Sequence, residues 1–289
     1  MSGAPMMTRK SVVAGRFYPN NPESLRTQVK TCLASPPQRS IVFSQCEVLA
    51  VMVPHAGYVF SGAIAGMTLA QNPLPESIFL LGPNHTGMGR SLAVWAEGEW
   101  ETPLGMVAVD TELAGELLDH GAGFVADTSA HSREHSLEVV LPFLQVHAPK
   151  TRVVPIVVGG QPIATLKASG EALAAVMRKA AAQGKKTAII VSSDMSHYLP
   201  HEVCAKQDSV ALDALCSLEP EVFYSTVRER GISMCGVHPM TVALYACTSL
   251  GATSADVIAY ATSGQTGKAF GADMNKVVGY AGVIISRKI

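Results

Sequence analysis

The sequence lacks the long apolar runs that mark membrane proteins. Its longest apolar stretches are far shorter than the ~20 residues that span a bilayer. The N-terminus, up to Arg16, has no apolar segment of the kind that forms a signal peptide. We therefore expect a cytoplasmic protein that does not interact with membranes.

The sequence also lacks any excess of charge of one sign. Its 22 basic and 23 acidic residues nearly cancel, and no long basic run occurs. Nucleic acid is therefore not expected as a partner. Charged residues make up only 16% of the chain and hydrophobic residues 48%. This composition predicts a large buried core and excludes extended disorder.

Paired cysteines of the CxxC type are absent as well. The chain has six cysteines, but a cytosolic protein of 289 residues rarely uses disulfides. Five of the six are expected to be small buried apolar side chains. The sixth, Cys235, lies between polar and glycine residues and is a candidate for chemistry.

What the sequence does contain is a series of apolar runs bounded by turn residues, which predict strands buried on both faces. The predicted strands are residues 48–53, 78–81, 153–158, 188–191, 257–261 and 278–285, with a shorter edge strand at 106–109. The predicted helices are residues 22–33, 110–120, 162–182, 205–215 and 237–250. This alternation predicts one α/β domain over residues 1–289, with a mostly parallel central sheet flanked by helices. Pro155 argues against a central position for its strand.

Three of the predicted strands are each followed by a histidine among small residues. His55 follows residues 48–53, His85 follows 78–81, and His197 follows 188–191. The carboxyl ends of parallel strands share one edge of a sheet, where ligands bind, so we expect these histidines at one site. Neutral imidazole is a common ligand of zinc, iron and copper, which makes His55 and His85 candidate metal ligands. Asp194 could orient the His197 ring or raise its basicity.

A third metal ligand is needed, and several side chains are candidates: His131, Glu134, His135, His238 and Cys235. The pair of histidines four residues apart does not match HExxH, because the glutamate between them is misplaced. Cys235 precedes a predicted helix, whose N-terminus favours thiolate over thiol. Spacing alone does not choose between Cys235 and Glu134.

Six segments of the chain together resemble the Memo family, which includes the AmmeMemoRadiSam system protein B. They are AGRFYP at residues 14–19, VPHAGYVFSG at 53–62, LGPNHTG at 81–87, EHSLEVVLPFLQ at 134–145, SSDMSHY at 192–198 and CG at 235–236. The resemblance implies a fold similar to class III extradiol dioxygenases. It also implies one metal ion, Fe(II) or copper, held by His55, His85 and Cys235.

The resemblance extends to the residues around the metal. It implies that His197 is the base, with Asp194 beside it. Glu134 and His135 line the same pocket, and we expect Tyr58 and Asn84 to contact substrate with them. A cysteine replaces the carboxylate of the dioxygenases, and its softer thiolate shifts preference towards copper and can itself be oxidised. Ring cleavage is therefore not expected to carry over.

Two classes of function follow. The first is a metal-dependent oxidoreductase that activates O₂ or a small substrate, with His197 moving a proton. The second is an adaptor that binds a peptide or protein in the same pocket, where Arg133 and Tyr58 would contact an anionic group. A third reading makes Cys235 a nucleophile without metal. The resemblance also associates the protein with radical-SAM partners.

Overall fold

A sheet of nine strands forms the centre of the protein, and its main strands extend the predicted apolar runs by one to three residues at their ends. In the computed structural model, which describes residues 7–39 and 45–289, there are twelve strands and nine α-helices. The strands are β1 (Thr8–Arg9), β2 (Cys46–Val53), β3 (Ser77–Pro83), β4 (Leu92–Val94), β5 (Glu99–Thr102), β6 (Gly105–Ala108), β7 (Val125–Ala126), β8 (Arg152–Val158), β9 (Thr187–Ser192), β10 (His197–Leu199), β11 (Ser254–Thr262) and β12 (Val277–Lys288). The helices are α1 (Pro22–Leu33), α2 (Tyr58–Leu69), α3 (Thr111–His120), α4 (Leu141–His147), α5 (Ile163–Ala182), α6 (His201–Cys216), α7 (Pro220–Glu229), α8 (Val237–Ser249) and α9 (Ser263–Thr266).

The large sheet is parallel at its centre and mixed at its flanks. Its order is β10-β12-β2-β9-β3-β8-β4-β7, and β11 also pairs with β12. The four strands β2, β9, β3 and β8 are parallel to one another. Strand β12 runs antiparallel to β2, and β4 runs antiparallel to β8. The predicted α/β fold is confirmed, with its parallel strands concentrated where the histidines follow.

Strand β8 shows why a proline can occupy an interior strand. Pro155 lies opposite Leu80 of β3, yet its carbonyl accepts a hydrogen bond from the Trp95 amide on the other side, at 3.0 Å. The N and O atoms of one strand residue point to the same side, so the missing N–H also points away from β3. Pairing with β4 covers only Ile156 to Val158 on that side. The hydrogen bonds between β8 and β3 therefore lose no donor. The expectation that Pro155 keeps its strand out of the interior of the sheet was wrong.

The predicted edge strand at residues 106–109 lies in a separate sheet. Strand β6 pairs with β5, and β5 pairs with β1, to give three strands beside the main sheet. This small sheet holds the N-terminal Arg9 against Trp100 of β5. The N-terminal segment is thereby fixed near the loops that carry the site.

Successive side chains of the central strands point into two different cores. In β3, Phe79 and Leu81 pack with residues of α3, α5 and α8, whereas Ile78 and Leu80 pack with residues of α1 and α4. All four are fully buried. Burial on both faces explains why these strands are continuous apolar runs rather than alternating patterns.

Two of the predicted helices begin at a side-chain cap, and four helices, α2, α4, α7 and α9, were not predicted. Asn21 accepts a hydrogen bond from the Ser24 amide at the start of α1, and Asp110 does the same for Leu113 in α3. Helix α2 was not predicted because it is apolar on most of its faces and has no amphipathic stripe. It is packed so closely that a Cβ on Gly66 would lie 2.3 Å from the Cys32 carbonyl carbon.

Candidate metal centre

The carboxyl ends of β2, β9 and β3 bring the predicted residues to one edge of the sheet. These strands are neighbours and parallel. His55 lies two residues beyond β2, His85 lies two residues beyond β3, and Ser192 is the last residue of β9. The His55 and His85 rings are 5.2 Å apart between centroids. The strand-end argument therefore placed these two histidines correctly.

A third imidazole joins them from a loop. The His135 ring stacks on His85 with a centroid distance of 4.8 Å and meets His55 edge-on at 5.5 Å. One nitrogen from each of the three rings lies within 4.8 Å of the others. The three histidines thus form a cluster that fits a metal ion. His135 was one of the candidates for the third ligand and was also expected to line the pocket.

His55 is buried, and its ring is held by hydroxyl groups. Its Nδ1 is 2.7 Å from Ser192 Oγ, which donates its own proton to the Ser136 carbonyl at 2.7 Å. Since that hydroxyl proton is already used, we assign the Nδ1 proton to His55, which leaves Nε2 with a free lone pair. Burial lowers the pKa of His55 well below 6.5, and the neighbouring His85 and His135 lower it further. The ring is therefore neutral at pH 7 and can act as a ligand.

His85 is held by a carboxylate. Its Nδ1 lies 2.8 Å from Glu134 Oε1, and its backbone N–H donates to Glu134 Oε2 at 2.6 Å. The Ser136 N–H also donates to Oε1. Burial alone would raise the pKa of Glu134, but these hydrogen bonds and the electrostatic interaction with the His85 ring lower it to about 2. An ionised carboxylate only accepts, so Nδ1 of His85 carries the proton and Nε2 is free.

The protein donors around Glu134 occupy both of its oxygens, which favours a supporting role over direct metal ligation. A carboxylate hydrogen-bonded to a ligand histidine is a common arrangement in metal sites, because it fixes the ring and increases its basicity. His135 is close to the same carboxylate, with Nδ1 3.6 Å from Oε1. Burial lowers the pKa of His135 below its ordinary value, although Glu134 opposes the shift.

Cys235 lies next to the Nε2 atom of His55. Its Sγ is 3.4 Å from His55 Nε2, and it accepts from the Asp194 N–H at 3.2 Å. Close approach here requires Gly236, since a Cβ on that residue would lie 2.3 Å from Ser193 Cβ. The cysteine is thus next to the free nitrogen of the buried histidine.

The N-terminus of α8 was expected to favour the thiolate form of Cys235. Without a metal ion, the surrounding protein groups favour the thiol instead. Desolvation raises the pKa of the thiol well above its ordinary value, and the Asp194 carboxylate raises it further. Hydrogen bonds from Asp194 and Ser193 oppose this shift but do not overcome it. A cation beside Sγ would be needed to hold the thiolate.

Asp194 and His197 lie beside the cluster with partners other than those expected. Asp194 Oδ1 accepts from the His55 backbone N–H at 2.8 Å. Burial raises its pKa to about 6. The His197 Nδ1 bonds to the Ser233 carbonyl at 2.9 Å, and since a carbonyl only accepts, Nε2 is left free. Ser233, not Asp194, orients the His197 ring.

Tyr58 and Asn84 make contacts that do not support substrate binding. The Tyr58 hydroxyl donates to the Val139 carbonyl at 2.7 Å, and its ring packs on Phe143 in the core. The Asn84 side chain closes its own loop, donating to the Met88 carbonyl and accepting from the Gly87 amide. Both residues shape the loops next to the histidines.

The remaining candidates for the third ligand are placed elsewhere. His131 is buried between Trp95 and Trp100, and its Nε2 bonds to the Ala93 carbonyl at 3.2 Å. His238 is in the first turn of α8, in the wall of an open cavity of about 360 Å³ that also contacts Cys235. His238 packs its ring against Tyr224.

Several residues of the site were missed by sequence reasoning. Ser192 and Ser136 hold His55, and Phe17 packs edge-on against His135 with centroids 4.9 Å apart. The position of Ser192 at the end of a strand that leads to the site was a usable signal. Nothing local in the sequence indicates that Phe17 reaches a residue more than a hundred positions away.

The Memo-like protein family matches residues 9–284 of the chain. The chain belongs to the Memo family. A MEMO1 family protein of Methanopyrus kandleri is 37% identical over 289 residues, which cover 97% of this chain and 100% of that protein. A MEMO1 family protein of Aquifex aeolicus is 38% identical over 280 residues, which cover 96% and 99%.

One solved structure shows the same fold at low identity. An uncharacterized protein from Escherichia coli K12 is similar with a TM-score of 0.55 and 15% identity, over 82% of this chain and 100% of that one. At this identity the similarity concerns the fold alone. Within the part of the chain that the structure describes, no helix is long and apolar enough to cross a membrane.

Proposed function

We propose that the protein binds one redox-capable metal ion, iron or copper, and uses it in oxygen-dependent chemistry on a small substrate. The observation that supports this most directly is the cluster of His55, His85 and His135, with ligand nitrogens within 4.8 Å of one another. The rings of His55 and His85 each have Nδ1 bonded to a protein acceptor, which leaves Nε2 for a metal.

Cys235 is proposed as the third ligand beside His55 and His85. Metal–nitrogen bonds of about 2.0 Å and metal–sulfur bonds of about 2.3 Å place two ligands of a tetrahedral ion about 3.5 Å apart. The separation of Cys235 Sγ and His55 Nε2 is 3.4 Å, so this pair already suits a shared ion. Two nitrogens bound to the same ion would lie about 3.3 Å apart, so the imidazole nitrogens, which lie within 4.8 Å of one another, need to approach by up to about 1.5 Å. His135 is a fourth donor within reach.

Iron or copper, when bound, would supply electron transfer and open positions for O₂ or substrate. The residues around it then have separate tasks. His197 has a free Nε2 beside the cluster and would accept or return a proton. Glu134 and Ser192 fix the ligand rings, and the Glu134 carboxylate offsets part of the positive charge. The soft thiolate of Cys235 would favour copper over a harder metal ion. Because it replaces the carboxylate ligand of the dioxygenases, we do not propose catechol ring cleavage.

The test is elemental analysis of protein purified without added metal, repeated on Cys235→Ala. We expect about one iron or copper per chain in the wild type and a large loss in the variant, because a thiolate ligand is removed. Cys247→Ala is the matched control, since Cys247 is a buried cysteine of α8 inside the apolar core, and it should retain the metal.

Two results would contradict the proposal. The first is full metal content in both Cys235→Ala and His55→Ala. The second is a wild type that takes up neither iron nor copper but binds a phosphorylated peptide tightly, which would support the adaptor function instead.

A further inference from the structure

A buried arginine outside the predicted site holds the segment that carries Glu134 and His135. Arg9 is only 3% exposed. Its Nη2 donates to the Glu134 carbonyl at 2.5 Å, and its Nε donates to the His131 carbonyl at 3.1 Å. Its Nη1 pairs with Glu138 Oε2 at 2.5 Å, and the guanidinium lies over the Trp100 ring.

The carbonyl of Glu134 belongs to the peptide that joins Glu134 to His135. The side chain before this peptide holds His85, and the side chain after it stacks on His85 and contacts His55. One hydrogen bond from Arg9 therefore fixes a peptide plane whose two flanking side chains both belong to the metal centre. The bond to the His131 carbonyl fixes the same segment three residues earlier.

The charge of Arg9 is balanced by Glu138, which is not one of the residues of the metal centre. Glu138 is fully buried and also accepts from the Val12 and Val13 amides and from the Tyr18 hydroxyl. A buried ion pair is often no more stable than an apolar pair of the same volume, so stability alone gives little reason for this one. A planar guanidinium, unlike an apolar side chain, can hold two backbone carbonyls and a carboxylate at once.

We propose that Arg9 is a positioning residue of the metal centre. It orients Glu134 on His85 and keeps His135 within reach of the metal, so that the number of imidazoles around the ion depends on an arginine that touches none of them. This inference rests on the proposed metal-binding function, and it assigns a role to the buried N-terminal strand β1.

The test removes both buried charges at once, with Arg9→Met combined with Glu138→Gln. The glutamine keeps an oxygen for the Val12 and Val13 amides, and no unpaired charge is left in the core. The matched control is Arg287→Met with Glu47→Gln, a surface ion pair at 2.7 Å on β12 and β2. All proteins are loaded with Cu(II) and compared by electron paramagnetic resonance, by titration of copper affinity and by thermal unfolding.

We expect the Arg9→Met/Glu138→Gln protein to unfold cooperatively, to bind copper about 10–100-fold more weakly, as other supporting residues do, and to show altered nitrogen hyperfine structure. The control pair should match the wild type. If the double variant does not fold, Arg9→Lys is used, since lysine keeps a positive charge beside Glu138 but lacks the planar fork that holds both backbone carbonyls at once.

An unchanged spectrum and affinity in either folded variant would overturn the role of Arg9 while leaving metal binding intact. Failure of both variants to fold would also count against it and would assign Arg9 to the fold alone. If the wild type itself binds neither copper nor iron, the proposed function fails first. The two failures are therefore distinguishable.

Discussion

His55 and His85 lie at the same edge of the large sheet, after β2 and β3, yet the protein holds their rings in different ways. His55 is 2% exposed, whereas the side chain of His85 is 32% exposed. A neutral hydroxyl holds the His55 ring, and an ionised carboxylate holds the His85 ring. Burial keeps the first ring uncharged, and the carboxylate increases the electron donation of the second. One edge of a sheet thus presents a buried, neutral imidazole and an accessible, polarised one.

The largest expected effect is loss of the buried ligand. His55→Ala should weaken copper or iron binding by more than about 100-fold, beyond the 10–100-fold typical of residues that only support a ligand. Competition titration against a chelator measures this. Full affinity in His55→Ala would show that the buried histidine is structural, and the comparison with His85 would lose its meaning.

The contributions of Glu134 and His55 to the stability of the fold should also be lost in different pH ranges. The pKa of Glu134 falls from 4.5 to about 2 in the folded protein. A depressed carboxyl pKa stabilises the fold above pH 4.5, and that contribution, up to about 3 kcal/mol, is lost as the pH falls towards 2. The pKa of His55 is lowered from 6.5, so its penalty begins earlier, as the unfolded chain gains a proton below pH 6.5.

Unfolding free energies of the wild type, Glu134→Gln and His55→Ala across pH 7 to 3 separate these ranges. The difference between the wild type and Glu134→Gln should change most below about pH 4.5. The difference between the wild type and His55→Ala should already change below about pH 6.5. Coincident profiles for the two variants would contradict the separate roles.

The residues that hold the two rings, Glu134 for His85 and Ser192 for His55, should also differ in their effect on metal affinity. Hydrogen bonds to ionised groups are about twice as strong as neutral ones. We expect Glu134→Gln to weaken metal binding by about 100-fold and Ser192→Ala by about 10-fold, at the two ends of the usual range for supporting residues. Isothermal titration with each variant measures both values. An equal loss in the two would mean that the carboxylate contributes orientation only.

The smallest effect is a difference in chemical accessibility. Diethyl pyrocarbonate should modify His85 several-fold faster than His55, because only His85 exposes its ring to solvent. Bound metal should protect both. Peptide mapping of the modified protein gives the two rates, and faster modification of His55 would contradict the observed burial.

Much of the fold and part of the site could be predicted from sequence. Strands buried on both faces are continuous apolar runs, and ligands collect where parallel strands end, so His55 and His85 could be placed. Their supporting partners could not, because Ser136 and Glu134 come from a loop that is hydrogen-bonded to Arg9, more than a hundred residues earlier. Gly82 permits that loop to approach, since a Cβ there would lie 2.7 Å from Leu137 Cδ2.

The protonation state of Cys235 could not be predicted for a different reason. Its position before α8 suggests a thiolate, but the effect of a helix terminus is worth only about 0.3–1 kcal/mol at a surface position. Desolvation and the Asp194 carboxylate act in the opposite direction and are larger here. Helix position is visible in a sequence, whereas the desolvation of a single sulfur atom is not.

The most direct test of the metal centre is anomalous scattering from crystals loaded with copper or iron. We expect one peak at about 2 Å from both His55 Nε2 and His85 Nε2, the usual distance between a metal and imidazole nitrogen. If the metal at this peak also lies within bonding distance of Cys235 or His135, those residues are the remaining ligands. No peak between the two histidines, or a metal bound only at other side chains, would contradict this expectation.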